Sequence, residues 1–440
     1  VKLARQFFQA YIFMNRFFYI FVVSFIQPFI VARLLLRSIK TPIYRKRIFE
    51  RYAMQPPLAH ASTVKKPIWI HAVSVGEVGA ASGLVNELLR FNPHQQIIIT
   101  TTTPTGSDHV NLLFGERVIH FYAPYDTYGA ITRFLKKFEP TILLLMETEL
   151  WPNMIHICAK KGVKVAIVNG RLSDRSYEKY KKWNWVVEPM LKDIDLFITQ
   201  NESDANNFIS LSADVDKIHV IGNLKFDGNQ LYSNKKILSG LSGLKNTRQP
   251  VLIAASTREG EEEKVLNAFR FVLEKMPSVV LIIVPRHPER FEDVARLVSD
   301  LGFEFSRRSE DKELADPIQV YLGDTMGELM AYYRSADVAF VGGSLVDTGC
   351  QNVIEPASLG LPVLVGPSQY NFSDICSELE SASALRTVNN SEELGLAFLE
   401  LLSDASVCAE MGENGKAFVR KRSDVVSSTL KTLNIIYEVF

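Results

Sequence analysis

Five apolar residues in a row, Ile142-Leu-Leu-Leu-Met146, stop at Glu147-Thr-Glu149. A strand that is apolar at every position, rather than at every second one, needs cover on both faces. Inner strands of a parallel sheet receive that cover and surface strands do not. The pattern recurs in Ile68 to Ile70, Gln96 to Thr102, Arg117 to Tyr122, Val163 to Val168, Leu196 to Thr199 and Ile218 to Ile221, with helical spacing between these runs. It restarts after a polar stretch with Val251 to Ala255, Val279 to Val284, Gln319 to Leu322, Val338 to Val341 and Leu361 to Val365. Each of these last five ends in a Gly, Pro or Ser loop carrying polar residues. Such alternation predicts α/β domains with doubly wound parallel sheets, whose ligands gather at the carboxyl edge of the strands.

Two domains are expected, because 440 residues exceed what a single core usually serves. The first spans 55–236 and the second 237–420, joined by the polar segment Asp227 to Gln249, and a helix in 421–440 returns to the first. Two Rossmann-like halves with polar loops at their strand ends suit a ligand held in a cleft between them.

Residues 1–54 read as a membrane-attached segment. Phe17 to Ala32 is apolar except for Ser24, Gln27 and Pro28, and with its flanks it reaches roughly the 17–20 residues of a membrane span. Arg33, Arg37, Lys40, Arg45, Lys46, Arg47 and Arg51 follow it, against Lys2 and Arg5 before it. That asymmetry puts the remainder on the cytoplasmic side of a bacterial-type inner membrane. An amphipathic helix lying on anionic lipid and an ordinary core helix are the alternatives.

Lys+Arg and Asp+Glu balance at 49 each, so no global field favours nucleic acid and no such partner is expected. Cys158, Cys350, Cys376 and Cys408 form no C-x-x-C and have no metal-ligand spacing with a histidine, as suits reduced and mostly buried thiols. Asp193-Ile-Asp195 and Asp214-Val-Asp216 have the form D-x-D but read as solvated carboxylates, so no metal or other cofactor is expected. Dinucleotide and P-loop readings lack their glycine fingerprints.

Three groups of loop residues carry chemistry. Ser74-Val-Gly76 turns the chain from the first strand into a helix that opens with Glu77, where backbone N–H groups and a positive dipole end meet the sheet edge. A carboxylate there suits the general base of transfer to a hydroxyl, which must lie about 2.6–3.2 Å from the proton it takes. A helix-start carboxylate is the plainer reading, and the dipole should hold its pKa low. Glu147 and Glu149 alternate along an extended segment and so face opposite sides, one toward a cleft and the other toward the Trp151-Pro152 turn. Arg171, Lys225, Arg286 and His287 are strand-end cations suited to phosphate or carboxylate. Met326-Gly327-Glu328, Gly342-Gly343-Ser344 and Asn352-Val-Ile-Glu355 would let backbone approach a nucleotide, with Glu accepting from ribose hydroxyls.

In family order, Ser74-Val-Gly-Glu77, Thr102-Thr-Pro-Thr-Gly106, Met146-Glu-Thr-Glu-Leu-Trp-Pro152, Gly222-Asn-Leu-Lys-Phe-Asp227, Pro285-Arg-His-Pro-Glu-Arg-Phe291, Gly323-Asp-Thr-Met-Gly-Glu-Leu329 and Phe340-Val-Gly-Gly-Ser-Leu-Val346 resemble the bacterial 3-deoxy-D-manno-octulosonic acid (Kdo) transferases of lipid A biosynthesis. Tyr44-Arg-Lys-Arg47 fits as well. The resemblance implies a GT-B fold with an N-terminal membrane-anchor helix, and CMP-Kdo as donor. The acceptor would be the 6′-hydroxyl of the tetraacylated lipid A precursor, with inversion at the anomeric centre. By motif it makes Glu77 the proton acceptor and has Glu147 and Lys225 steady the transition state. It assigns CMP contacts to Pro285, Arg286, Met326, Gly327, Glu328, Asn352, Val353, Ile354 and Glu355. Two positions depart from the family pattern: Gln351 stands where His is usual, and Arg258 where His is common. The rival readings are a UDP-sugar transferase of the same fold and a membrane-tethered sugar-binding protein.

Overall fold

The computed structural model describes residues 19–34, 36, 47–55, 66–227, 249–310 and 318–438. The start of the expected membrane helix, the cations Arg37, Lys40, Arg45 and Lys46, and nearly all of the linker lie outside the described residues. The chain divides into two compact units, Val1–Gly228 with Asp424–Phe440, and Asn229–Ser423.

The first unit holds seven strands: β1 (Ile68–His71), β2 (Ile97–Thr101), β3 (Ile119–Tyr122), β4 (Ile142–Met146), β5 (Lys164–Gly170), β6 (Leu196–Thr199) and β7 (Ile218–Val220). Their order is β3-β2-β1-β4-β5-β6-β7, and every pairing is parallel. Continuous apolar runs work here because successive side chains feed two different cores. Trp69, Ile98, Leu143, Leu145 and Val165 lie in one; Ile68, Ile70, Ile97, Leu144 and Met146 lie in the other. β1 and β4 pair at the centre, with His71 opposite Leu145. Here the strand order reverses, and the loops leaving the two strands open a crevice at the carboxyl edge.

The chain finishes in this unit. Val425, Val426, Leu430 and Leu433 of the helix Val425–Leu433 are buried in the second core. Asp227, the last residue of the Gly222–Asp227 motif, accepts from the N–H groups of Asp424 and Val426 at 2.9 and 2.6 Å. Gly222 takes φ 127°, a backbone that L side chains rarely adopt, and a Cβ there would also press on Val425 Cγ2 at 3.0 Å.

Residues 19–34 are helical and rest on the same unit, with Tyr19 Oη donating to Asp126 at 2.8 Å. Phe21, Phe25 and Phe29 point outward along one stripe, each at least 60% exposed. No helix among the described residues is long and apolar enough to cross a membrane. Two of the cations expected beside the lipid belong instead to the fold. Arg51 is 5% exposed, donates to Thr102 O at 2.8 Å and stacks on Tyr122. Arg47 pairs with Glu50 at 2.5 Å, and Glu50 in turn accepts from Tyr122 N at 3.0 Å. Apart from Glu50, their partners Thr102, Ser107 and His120 lie some 50 residues or more away in the chain, so the spacing of charges in the sequence could not reveal them.

The second unit also has seven parallel strands: β8 (Val251–Thr257), β9 (Val280–Pro285), β10 (Phe305–Arg307), β11 (Val320–Leu322), β12 (Val338–Val341), β13 (Val363–Val365) and β14 (Leu385–Thr387). The order is β10-β11-β9-β8-β12-β13-β14, with its reversal between β8 and β12. The edge strands β10 and β14 were not expected from the sequence. Phe305-Ser-Arg and Leu385-Arg-Thr are short and half polar, as a strand covered on fewer sides can afford to be.

Candidate active site

In the first unit the crevice gathers Glu77, Glu147, Glu149 and Lys225. The helix Val75–Phe91 begins at Ser74, whose Oγ accepts from Glu77 N at 3.3 Å. Glu77 reaches back in return: one carboxylate oxygen takes Val73 N at 2.9 Å and the other takes Ser74 Oγ at 2.8 Å. This reciprocal cap fixes the side chain at 7% exposure and leaves it further acceptor capacity. The expectation of a low pKa fails. Burial, then the negative charge of Glu149, and more weakly that of Glu147, push the Glu77 carboxyl up to about 8 against the bonds from Ser74 and Val73.

Glu147 and Glu149 divide as expected, Glu149 going to the Trp151 turn and Glu147 to Lys225, but extended alternation is not the reason. Glu147 closes β4 in the left-handed region at φ 55°, so the alternation of an extended segment does not apply to it. Both carboxylates act on Glu77. Glu149 accepts from Trp151 Nε1 at 2.7 Å, and its own pKa is raised, by burial first and then by Glu147. Lys225 Nζ stands 3.6 Å from Glu147 Oε1. Lys225 lies in the short turn Leu224–Phe226, whose N–H groups are held from two sides. Asn223 Oδ1 takes Lys225 N at 3.0 Å and Asn169 Oδ1 takes Leu224 N at 2.9 Å. Asn169, near the end of β5, is fully buried and, like Glu147, left-handed at φ 58°. The D-x-D carboxylates are committed elsewhere: Asp193 pairs with His156 at 2.6 Å, and Asp195 accepts from Val165 N and Lys164 Nζ. Arg171 belongs to the loop after β5, where its carbonyl accepts from Thr148 Oγ1.

In the second unit a cavity of about 230 Å³ opens at the carboxyl edge. Pro285, Arg286, Met326, Gly327, Asn352 and Glu355 line it, together with Ser256, Gln351 and Tyr333. Three other predicted contacts are not on its wall. Val353 and Ile354 are fully buried at the start of the helix Ile354–Ser358, and Glu328 is held by Arg308 and Thr325. Burial pushes the Glu355 carboxyl to about 7, against the pull of Asn352, which donates to it at 3.1 Å, and of Arg286. The Gly342-Gly343-Ser344 loop has a structural duty. Glu261, fully buried, accepts from the N–H groups of Arg258, Gly343, Ser344 and Leu345 at 2.6–3.1 Å, tying the loop after β8 to the loop after β12. A Cβ on Gly342 would fall 2.7 Å from the Thr257 Cα.

The family model for 3-deoxy-D-manno-octulosonic-acid transferase (kdotransferase) matches residues 46–228, and that for glycosyl transferases group 1 matches 249–418. The 3-deoxy-D-manno-octulosonic acid transferase of Haemophilus influenzae is 39% identical over 411 residues, 91% of this chain and 94% of that protein. The chain belongs to the Kdo transferases. The Kdo transferase of Bordetella pertussis is 34% identical, covering 83% of this chain and 86% of its own length. Among solved structures, the UDP-GlcNAc 2-epimerase of Neisseria meningitidis, bound to UDP-GlcNAc, covers 84% of this chain and 99% of its own. At 17% identity and a TM-score of 0.57, that likeness speaks for the fold alone.

In this Kdo transferase neither the charge of Glu149 on Glu77 nor the hold of Asn169 on the Lys225 turn follows from the sequence. Asn169-Gly170 after an apolar run does carry a signal, since Asn tolerates left-handed backbone better than most residues. Nothing in the sequence says which N–H its side chain would reach.

Proposed function

We propose that this glycosyltransferase moves Kdo from CMP-Kdo to the 6′-hydroxyl of the tetraacylated lipid A precursor, inverting the anomeric centre. Its place would be the cytoplasmic face of a bacterial inner membrane, held there by the apolar N-terminal segment. The observation that carries the reading is Glu77: a capped, buried carboxyl pushed up to about 8, which makes its carboxylate a stronger base than an ordinary Glu and brings its titration close to working pH. Glu77 takes the acceptor proton as the oxygen attacks C2 of Kdo. Breaking the C2–phosphate bond then releases CMP with the bonding electron pair. Glu147 and Lys225, 3.6 Å apart, steady the charge that develops, and Arg286 meets the phosphate in the second unit's cavity. Glu355 and Asn352 offer an acceptor and donors to the nucleoside, with no metal ion required. The outward stripe of Phe21, Phe25 and Phe29 supports a membrane-seated helix, which would let the enzyme share two dimensions with its lipid acceptor.

Purified Glu77→Gln should bind CMP-Kdo as the wild type does but release CMP about 10²–10⁴-fold more slowly in the presence of acceptor. Near wild-type turnover would remove Glu77 from the role. Protection against heat by cytidine rather than uridine nucleotides separates this reading from a UDP-sugar transferase, and CMP release separates it from a binding protein.

A further inference from the structure

Resting on that donor, we propose that Arg258 binds the sugar carboxylate of CMP-Kdo beside the phosphate held by Arg286, so that two adjacent arginines select a donor bearing two anions on one carbon. Kdo is a 2-ulosonic acid. Once activated, its anomeric C2 carries both the carboxylate and the phosphate oxygen, and two negative charges sit side by side. A neutral sugar on a nucleotide offers no carboxylate at that place.

The two arginines leave neighbouring strands. β8 and β9 pair in parallel through Ala255 with Val284 and Thr257 with Pro285, and Arg286 N donates to Thr257 O at 3.0 Å. The backbone N–H of Arg258 donates to Glu261 at 3.1 Å, and its side chain is held by one contact, Nη1 donating to His287 Nε2. Accepting that bond keeps His287 neutral, and its pKa is lowered by burial and then by the charge of Arg258. Arg258 Nε is buried without a hydrogen-bond partner. The Arg286 guanidinium makes no hydrogen bond among the described residues, and burial followed by the charge of Arg258 lowers its pKa.

The carboxylates around the pair are spent. Glu261 serves four backbone N–H groups, and Glu262 serves Thr257 and Arg290 at 3.0 Å each. Glu355 holds its proton up to about pH 7. Two half-buried cations in mutual repulsion, Arg286 on the cavity wall and Arg258 behind it on the next strand with Nε unpartnered, match a ligand carrying two adjacent anions.

The test compares CMP with CMP-Kdo on the full-length enzyme, by calorimetry and by KM and Ki. Arg258→Gln should weaken CMP-Kdo roughly 10- to 150-fold and CMP less than about threefold, the loss expected for hydrogen bonds to one charged group. Arg286→Gln should weaken both ligands, and Arg258→Lys should restore part of the CMP-Kdo affinity. The carboxyl methyl ester of CMP-Kdo needs no mutation: wild type should bind it as weakly as Arg258→Gln binds the acid. Equal weakening of CMP and CMP-Kdo by Arg258→Gln, or wild-type affinity for the ester, would overturn the assignment while leaving the donor intact. A wild-type enzyme that bound uridine nucleotides and ignored CMP-Kdo would overturn the donor as well.

Discussion

At Glu77 two opposing influences meet. The helix N-terminus and two donated hydrogen bonds favour the carboxylate, while burial and two neighbouring carboxylates favour the acid, and the second set wins. kcat/KM should therefore rise with pH through about 8, as Glu77 gives up its proton. Glu149→Gln, which removes the larger of the two neighbouring charges, should move that rise to lower pH; an unmoved profile would detach Glu149 from the base. The same shift has a stability consequence. Folding raises the pKa from an ordinary 4.5, so between 4.5 and about 8 the folded state holds a proton that the unfolded chain has released. Stability from this group is present at low pH and lost as pH rises through that window. Glu77→Gln should accordingly gain Tm relative to wild type between pH 5 and 8.5, and thermal melts at the two pH values check it. That Glu77 starts a helix was legible from Ser74-Val-Gly. Its ionisation was not, because the carboxylates that set it arrive from β4, some 70 residues later.

Among the elements, the apolar runs were the most legible part of the chain, since an inner parallel strand leaves so little freedom in composition. The ends of those strands were the least legible. Glu147 and Asn169 both take left-handed backbone, at a cost of about 1–3 kcal/mol each for a non-glycine residue. These two strand ends flank the turn that presents Lys225. Gln200 reinforces the arrangement by donating to Asn169 O at 3.0 Å while accepting from Asn223 Nδ2 at 3.1 Å. Asn169→Gly keeps the backbone freedom and removes the bond to Leu224 N, so it should lower kcat roughly tenfold with CMP-Kdo affinity unchanged. Because Asn169 acts through the turn, Asn169→Gly should add nothing further to Lys225→Ala. Additive losses in that double-mutant cycle would mean that the two act separately.

For the molecule as a whole, the sequence showed two α/β halves and a chain that returns to the first, but it placed Arg47 and Arg51 with the membrane when they belong to the fold of the first unit. Charge spacing carries a membrane signal only where the side chains remain in solvent, and here Tyr122 and Glu50 claim them. The return of the chain has measurable weight. Leu430 is 1% exposed in the core beneath β1 and β4, and Leu430→Ala should cost about 2–5 kcal/mol in denaturant unfolding. The order in which a ribosome supplies these parts then matters. Strands β1–β7 leave the exit tunnel early, yet the N–H groups that satisfy Asp227 and the leucines that close the core come only after the entire second unit has been made. The half that carries Glu77 waits, incomplete, until Val425 and the residues after it have been made, so a nascent chain halted before Val425 would expose an apolar face to the chaperones around it.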